Sequence, residues 1–208
     1  MRSRIVIADD HLLMAQALEH LLAGDFDVVA TVGDGRALLT AAADLKPDLV
    51  VVDIGMPLLN GLDAGQELKA QHPEIRIIYL TQNRDPRLAA EALQRNASGY
   101  LLKDAAASEL VAAIREALDG RVSVSPAIAG DLADEALSTD ARSRSLSARE
   151  REVLQLLAEG KSMKEVAAVL DISPRTVEFH KYRLMDRLGV KTNAELVQYA
   201  VRTGIIRP

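Results

Sequence analysis

Acidic and polar side chains stand where the apolar segments in the first half of the chain end. Asp9 and Asp10 follow one such segment, Asp53 and Thr81 close two others, and Lys103 follows a fourth. Carboxylates crowded together repel one another unless a cation lies between them, and oxygen ligands without His or Cys favour Mg²⁺ or a similar ion. A carboxylate is also a nucleophile that accepts a phosphoryl group, while the metal neutralises charge on the transferring oxygens. These residue types therefore indicate metal-assisted phosphoryl transfer, provided that the fold brings them together.

Each of these side chains has an expected role in such a site. We expect Asp10 and Asp53 to bind the metal directly and Asp9 to bind it directly or through water. Asp53 is then the phosphoryl acceptor. Lys103 pairs with carboxylate or phosphoryl oxygens as a point charge, and the Thr81 hydroxyl donates to a phosphoryl oxygen. The plainer interpretation is that each Asp only ends a strand or caps the next helix, as Asp commonly does.

Short β-branched runs alternate with longer Ala- and Leu-rich segments over the first 120 residues or so, which is typical of a parallel α/β sheet. The predicted strands are Arg4 to Asp9, Phe26 to Val32, Leu49 to Asp53, Arg76 to Thr81 and Gly99 to Leu102. The predicted helices are His11 to Ala23, Arg36 to Ala43, Asp63 to Gln71, Pro86 to Gln94 and Ala106 to Asp119. If this doubly wound, flavodoxin-like sheet has the strand order 2-1-3-4-5, strands one and three are neighbours at the switch point. The three aspartates then converge at the edge where ligands bind.

The last third of the chain differs from the rest in charge. Residues 1–141 carry a net charge of −10, whereas residues 142–208 carry a net charge of +5. The acidic part is expected to repel nucleic acid, and the basic part has the electrostatic character of a protein that binds a phosphate backbone. Solvated surface charge is the alternative interpretation.

This basic part is predicted to be all-helical. Capping-box sequences begin at Ser147, Ser162 and Thr192, and Ser173 precedes Pro174 in a pair that is typical of a helix start. The predicted helices are Ala148 to Glu159, Met163 to Leu170, Pro174 to Leu188 and Asn193 to Thr203. The short segment 171–173 joins the second helix to the third, as in a helix-turn-helix. A generic four-helix bundle need not place so short a turn before a long basic helix.

The third of these helices has an apolar face and a polar, aromatic face. At about 100° per residue, Val177, Leu184 and Leu188 fall on one side. The opposite side carries Arg175, Glu178, Phe179, Tyr182 and Asp186. Its aromatic residues either contact the linker or the other domain, or enter a DNA major groove.

In the DNA-binding interpretation, the residues of this helix, with Lys191 just after it, divide into base contacts and backbone contacts. Arg175 reads guanine, Glu178 accepts from cytosine N4, and an aromatic ring, Phe179 or Tyr182, contacts a thymine methyl group. The residues expected to contact phosphates or to hold the helix in register are Thr176, His180, Lys181, Arg183 and Lys191.

Composition narrows the class of protein. The chain of 208 residues is 49% hydrophobic and 26% charged, which is ordinary for a globular protein and excludes a wholly disordered one. It has no Cys, so a disulfide framework or a thiolate zinc site is excluded.

His11 follows the acidic pair, but one His with carboxylates does not define a transition-metal site, and we expect it at the surface or at a helix start. The apolar runs are shorter than the ~20 residues that span a bilayer, and the N-terminus does not read as a secretory signal, so we expect a cytoplasmic protein.

The motifs of the first part resemble the receiver domain of bacterial response regulators. They are Ile7-Ala-Asp-Asp-His11, Val51-Val-Asp-Ile-Gly-Met-Pro57, Leu80-Thr81 and Gly99-Tyr-Leu-Leu-Lys-Asp104. The resemblance implies that a sensor histidine kinase phosphorylates Asp53 and that the backbone carbonyl of Gly55 completes the Mg²⁺ shell. It also implies that Thr81 and Tyr100 form a switch pair in which Tyr100 fills space that Thr81 vacates. From its strand position alone, Tyr100 is simply a half-buried residue.

Residues Leu146 to Ile206 resemble the LuxR-type helix-turn-helix. The matching segments are Leu-Ser-Ala-Arg-Glu-Arg-Glu-Val-Leu, Glu-Gly-Lys-Ser-Met-Lys-Glu-Val-Ala, Ile-Ser-Pro-Arg-Thr-Val-Glu-Phe-His and Arg-Leu-Gly-Val-Lys-Thr. The implied motif runs from Glu165 to Leu184. Met163 stands where the family usually has Asn, and the acidic Glu178 lies on the helix face expected to contact bases. The motif therefore does not specify which DNA sequence the protein recognises. A receiver joined to this module resembles the NarL/FixJ type of response regulator.

We therefore predict a receiver domain over residues 1–120, a linker over 121–143 and a DNA-binding domain over 144–208. The predicted function is that of a transcription regulator, with no enzymatic activity beyond self-phosphorylation and slow self-dephosphorylation at Asp53. Phosphorylation is expected to promote dimerisation and promoter binding by a population shift. The expected partners are a histidine kinase, promoter DNA, a second copy of the chain and RNA polymerase.

Two other functions stay open at this point. A receiver that is never phosphorylated would serve as a protein-binding scaffold, although the full acidic set with Thr81 and Lys103 counts against it. An aspartate-based phosphohydrolase uses the same Asp, Mg²⁺ and Lys. Against an enzyme of that kind, the residue two positions after Asp53 is not a carboxylate, and no cap domain is available to form a substrate pocket.

Overall fold

The first part of the protein is a parallel sheet between two layers of helices. The structure, a computed structural model, describes residues 2–105, 107–136 and 146–206. Its strands are β1 (Arg4–Ala8), β2 (Asp27–Val32), β3 (Leu49–Asp53), β4 (Arg76–Thr81), β5 (Gly99–Leu102) and β6 (Ser123–Val124). All pairs are parallel, in the order β2-β1-β3-β4-β5-β6. The predicted order of the first five strands is confirmed, and the prediction of only five strands is wrong by one.

Helices cover both faces of the sheet because its central strands are apolar on both faces. The helices of this part are α1 (Leu12–Leu22), α2 (Gly35–Leu45), α3 (Gly61–Gln71), α4 (Pro86–Gln94), α5 (Ala107–Leu118) and α6 (Pro126–Ala136). In β3, Val50 and Val52 enter the core beneath α2, α3 and α4, and Leu49 and Val51 enter the core beneath α1 and α5. The predicted start of the fifth helix, Ala106, lies outside the described residues.

The segment that was predicted as a linker contains β6 and α6. β6 pairs with the edge of β5, and α6 packs against α4 with Ile128 buried. Between them, the buried Ser125 accepts a hydrogen bond from the Leu102 N–H at 3.1 Å and donates one to Glu109 at 2.5 Å. A strand of two residues is too short to show a hydrophobic period, which is why the sequence did not reveal it. Residues 137–143 of the predicted linker lie outside the described residues.

The second part is helical. Its helices are α7 (Ala148–Ala158), α8 (Met163–Leu170), α9 (Pro174–Leu188) and α10 (Asn193–Arg202). The three predicted capping boxes form at Ser147, Ser162 and Thr192, and the Ser173 side chain accepts from the N–H of Thr176. These caps satisfy N–H groups that have no partner within the helix. Because the capping residues stand next to the helices that they start, the helix starts could be predicted from the sequence. Among the described residues, no helix combines the length and apolar character needed to cross a bilayer.

Candidate functional site

The predicted aspartates meet at the carboxyl edge of the sheet, where β1 and β3 are neighbours. Asp9 and Asp53 are buried, and Asp10 lies at the rim. One ligand atom from each of Asp9, Asp10, His11 and Asp53 lies within 4.8 Å of the others. His11 is exposed and is the N-cap residue of α1, and its Nδ1 lies 2.9 Å from Asp10 Oδ1. Carboxylate oxygens grouped at this spacing are a donor set that suits a hard divalent cation such as Mg²⁺.

Lys103 places its charge inside this acidic cluster. Its Nζ lies 2.5 Å from Asp9 Oδ2 and 3.0 Å from Asp53 Oδ2, and its side chain is 4% exposed. The Lys103 N–H also donates to the Thr81 carbonyl at 2.8 Å, so the end of β4 fixes the residue. Two buried carboxylates require such a partner because a buried, unpaired charge is costly.

The loop after β3 contacts both the side chain and the backbone of Asp53. The Gly55 N–H donates to Asp53 Oδ1 at 3.3 Å, and the Gly61 N–H donates to the Ile54 carbonyl at 2.9 Å. A Cβ on Gly61 would overlap the Asp53 carbonyl oxygen and lie 2.9 Å from Ile54 Cα, so only glycine allows this approach. Leu58, between these glycines, has φ +65°, a conformation that is strained for a leucine.

Thr81 and Tyr100 both contact the loop that follows β4. Thr81 Oγ1 accepts from the Asn83 N–H at 3.0 Å, and the Tyr100 hydroxyl donates to the Asn83 carbonyl at 3.3 Å. Burial raises the pKa of Tyr100 well above its ordinary value, and a hydrogen bond with Thr81 offsets part of this rise. The interpretation of Tyr100 as half-buried is wrong. The residue is fully buried because its side chain lies in a core cluster with Leu88, Ala92 and Ile128 of α4 and α6.

The outer face of α9 is exposed. Val177 and Leu184 are fully buried and Leu188 is half-buried, whereas Phe179 and Tyr182 are 61% and 60% exposed. The remaining exposed residues of the predicted DNA-binding set are Arg175, Glu178, Arg183 and Lys191, and the half-buried ones are Thr176, His180 and Lys181. Among the described residues, both aromatic residues keep most of their surface accessible. This finding disfavours contact with the described part of the sheet domain, and residues 137–143 of the predicted linker lie outside the described residues.

A polar interface between α7 and the sheet domain was not predicted from the sequence. The fully buried Gln155 accepts from the Asn60 N–H at 2.8 Å and donates to the Met56 carbonyl at 2.9 Å. Arg151 lies 3.1 Å from Asp63 and 2.9 Å from Glu91. Gln155 stands between Leu154 and Leu156 on a helix with other polar residues, so the sequence held no signal that it is buried.

Asp63 is the ionisable centre of this interface. Burial raises its pKa above the ordinary value, whereas Arg151, Asn60 and Arg95 lower it in part. Its Oδ1 lies 3.1 Å from Arg95 Nη1 as well as 3.1 Å from Arg151 Nε. The carboxylate therefore links one arginine from each part of the chain.

Comparison with known proteins gives the family. A family model described as the response regulator receiver domain matches residues 5–115, and one described as bacterial regulatory proteins, luxR family, matches residues 144–200. The probable transcriptional regulatory protein NarL of Mycobacterium tuberculosis (strain ATCC 25618 / H37Rv) is 34% identical over 98% of this chain and 95% of its own length.

Two solved structures of RcsB match this chain over nearly its whole length. RcsB from Salmonella enterica serovar Typhimurium, bound to promoter rprA in the presence of phosphomimetic BeF3−, has a TM-score of 0.68 at 27% identity and covers 96% of this chain and 98% of its own. A structure of two RcsB dimers bound to two parallel DNAs has a TM-score of 0.60 at 27% identity, with coverage of 96% and 98%. The present chain therefore belongs to the response regulators that join a receiver domain to a luxR-family domain, and it is a DNA-binding transcription regulator with a phosphorylatable receiver.

Proposed function

We propose that Asp53 accepts a phosphoryl group from a sensor histidine kinase and that this modification strengthens dimerisation and promoter binding. The observation that carries the proposal is the convergence of Asp9, Asp10 and Lys103 on Asp53 at the switch point of the sheet. Asp9, Asp10, Asp53 and the Gly55 carbonyl would hold Mg²⁺. The bound ion would neutralise charge on the transferring oxygens.

The protein's own residues then carry out the transfer. An Asp53 carboxylate oxygen attacks phosphorus, the bond from phosphorus to the kinase imidazole breaks, and an acyl phosphate forms. The Lys103 ammonium group, already 3.0 Å from Asp53 Oδ2, is placed to pair with the incoming phosphoryl oxygens. Later attack of water on the phosphorus breaks its bond to the Asp53 oxygen, releases inorganic phosphate and restores the carboxylate, which is the slow self-dephosphorylation expected of the site.

A shift of Thr81 would transmit the phosphorylation of Asp53 to the loop after β4. A phosphoryl group adds about −1.5 to −2 charge at pH 7 together with new acceptor oxygens. Its attraction for the Thr81 hydroxyl would shift that side chain towards Asp53. Because Asn83 donates to Thr81 Oγ1 and accepts from Tyr100, the loop after β4 would move with Thr81.

Phosphorylation and DNA binding are assigned to separate domains. The receiver covers residues 1–120, the linker 121–143 and the DNA-binding domain 144–208. The exposed face of α9, within the motif Glu165–Leu184, supports base contacts by Arg175, Glu178, Phe179 and Tyr182. Phosphate contacts are proposed for Thr176, His180, Lys181, Arg183 and Lys191. The RcsB structures with promoter DNA and with dimers support DNA and a second copy as partners, and RNA polymerase stays a prediction.

Phosphoryl uptake tests the proposal directly. Wild type and Asp53→Asn are incubated with Mg²⁺ and acetyl phosphate, separated on Phos-tag gels and assayed for gel shifts of promoter fragments. We expect a retarded band and tighter DNA binding for wild type, and loss of both in Asp53→Asn because the amide is not a nucleophile. Asp104→Asn, which changes an exposed carboxylate paired with Arg84, is the matched control and should behave as wild type.

Two outcomes contradict the proposal. A retarded band that persists in Asp53→Asn places the modification elsewhere. If wild type takes up no phosphoryl group, even from candidate kinases, while DNA binding is unchanged, the receiver is a protein-binding scaffold.

Arg175→Ala tests the proposed reading face. Duplexes that the wild-type protein binds are first selected from a random pool, and binding is then measured by fluorescence anisotropy. We expect affinity for the selected duplex to fall roughly 10-fold to 100-fold, in line with about 1–3 kcal/mol for a bidentate base contact. Arg202→Ala removes the same charge from the end of α10 and should change affinity less than threefold. Equal losses in the two variants would show that Arg175 contributes only general charge.

A further inference from the structure

Two loops of the receiver border Asp53, and both contact the DNA-binding domain. The β3–α3 loop (residues 54–60) begins directly after Asp53, and the β4–α4 loop (residues 82–85) begins directly after Thr81. Any rearrangement that a phosphoryl group causes at Asp53 and Thr81 passes into these loops first. Contacts made there by the DNA-binding domain are therefore contacts with the immediate surroundings of the proposed phosphoryl site.

α7 holds the β3–α3 loop through its backbone. Gln155 bridges the loop by accepting from the Asn60 N–H at 2.8 Å and donating to the Met56 carbonyl at 2.9 Å. Glu159, one turn further on, accepts from the Leu58 N–H at 3.2 Å. These contacts enclose Leu58, whose φ of +65° persists only where surrounding contacts enforce it.

The same loop contacts Asp53 at both of its ends. Gly61, the residue after Asn60, lies against the Asp53 carbonyl so closely that a Cβ would overlap it. At the other end of the loop, the Gly55 N–H donates to Asp53 Oδ1. The path from Gln155 to Asp53 thus consists of a hydrogen bond to Asn60, the peptide bond to Gly61 and the close contact of Gly61 with the Asp53 carbonyl.

The end of α10 lies against the β4–α4 loop. Gly204 follows α10 with φ +71°, and a Cβ there would lie 2.8 Å from Asn83 Nδ2 and 2.9 Å from Leu88 Cδ1. Asn83 is the residue whose N–H donates to Thr81 Oγ1. Movement of Thr81 towards a phosphoryl group would therefore reach the residue that faces the end of α10.

In this docked arrangement the outer face of α9 stays exposed, with Phe179 and Tyr182 mostly accessible. Docking of the receiver therefore does not act by covering those side chains. What docking does restrain is the pair of loops around Asp53.

We propose that Gln155 is a positioning residue for the phosphoryl site, through which the DNA-binding domain and the phosphoryl group compete for the β3–α3 loop. This inference rests on the proposed phosphorylation of Asp53. A docked α7 holds the loop in the unmodified arrangement, and a phosphoryl group favours the released one. Since coupling between two sites is reciprocal, release of α7 must tighten binding of a phosphoryl mimic by the factor with which the mimic weakens docking.

The experiment uses the full chain and measures the affinity for beryllium fluoride with Mg²⁺ by calorimetry, together with the rate of uptake from acetyl phosphate. In Gln155→Ala we expect at least fivefold tighter binding and faster uptake. Gln155→Glu places a buried carboxylate against the Met56 carbonyl and the Glu159 carboxylate, which accept from Gln155 Nε2 at 2.9 and 2.8 Å, so it should also weaken docking and bind the mimic more tightly than wild type. Gln198→Ala alters an exposed glutamine of α10 and should match wild type.

The outcomes separate this inference from the function on which it rests. If wild type binds no beryllium fluoride and takes up no phosphoryl group, the proposed function fails and the inference falls with it. If wild type binds and Gln155→Ala binds equally or more weakly, phosphorylation stands and the competition is refuted. Should Gln155→Ala fail to fold by circular dichroism, Glu159→Ala decides, since it removes the acceptor of the Leu58 N–H and is expected to tighten binding in the same direction.

Discussion

Lys103→Met is expected to destabilise the metal-free protein by about 3 kcal/mol while tightening its affinity for Mg²⁺. The Lys103 ammonium group lies within 2.5 Å of Asp9 and 3.0 Å of Asp53, and all three side chains are buried. Removing one member of a buried ion cluster leaves the others uncompensated, which typically costs about 3–5 kcal/mol. A divalent cation can then supply the missing charge, and the carboxylates no longer divide their attraction between the cation and the lysine. Phosphoryl uptake should fall at least tenfold because the phosphoryl oxygens lose a cationic partner.

Urea unfolding with and without Mg²⁺, calorimetric titration with Mg²⁺ and Phos-tag gels measure these three effects. Lys69→Met makes the same chemical change in the last turn of α3 and should leave the affinity for Mg²⁺ and the uptake unchanged. If Lys103→Met is as stable as wild type without metal, or binds Mg²⁺ more weakly, the account of Lys103 as the charge partner of Asp9 and Asp53 is wrong.

Gly61→Ala is expected to lower the free energy of unfolding by about 3 kcal/mol. The added Cβ would overlap the Asp53 carbonyl oxygen and lie 2.9 Å from Ile54 Cα, and backbone atoms at both contacts leave no flexible group to yield. Either β3 or the start of α3 must then shift. The same shift would displace Asp53, so the fraction of variant that folds should also take up phosphoryl groups more slowly.

The comparison for this variant is Gly130→Ala in α6, where a Cβ meets nothing within 4 Å. Alanine is a better helix former than glycine, so Gly130→Ala should stabilise the protein by up to about 1 kcal/mol in the same urea titrations. A Gly61→Ala protein within about 0.5 kcal/mol of wild type would show that the loop after β3 does not press against Asp53 in solution.

Much of the fold followed from local signals that the structure reproduces. The strands over Leu49–Asp53, Arg76–Thr81 and Gly99–Leu102, and the helices over Met163–Leu170 and Pro174–Leu188, have the predicted bounds. Apolar runs and caps are properties of neighbouring residues, and so they can be read from a single chain. The acidic cluster was predictable for a different reason, since the rule for open parallel sheets converts the strand order into a meeting point.

The features that were missed depend on contacts between distant parts of the chain. β6 exists because the edge of β5 offers unpaired backbone groups, and nothing in Ser123 and Val124 themselves indicates a strand. The full burial of Tyr100 was missed as well, since its core cluster includes Ile128 of α6. Gln155 is buried only because Met56 and Asn60 present backbone groups to it, more than ninety positions earlier in the sequence.

The polar groups of the α7 interface are complementary, so this DNA-binding domain is specific for its own receiver. Arg151 and Gln155 are buried against specific groups of the receiver, namely Asp63, Glu91 and the backbone of the β3–α3 loop. A foreign receiver with a different loop would leave these side chains buried without partners, at roughly 1–3 kcal/mol for each unsatisfied group. A chimera of two such regulators is therefore expected to keep the docked arrangement only when the β3–α3 loop and the facing residues of α7 come from the same parent.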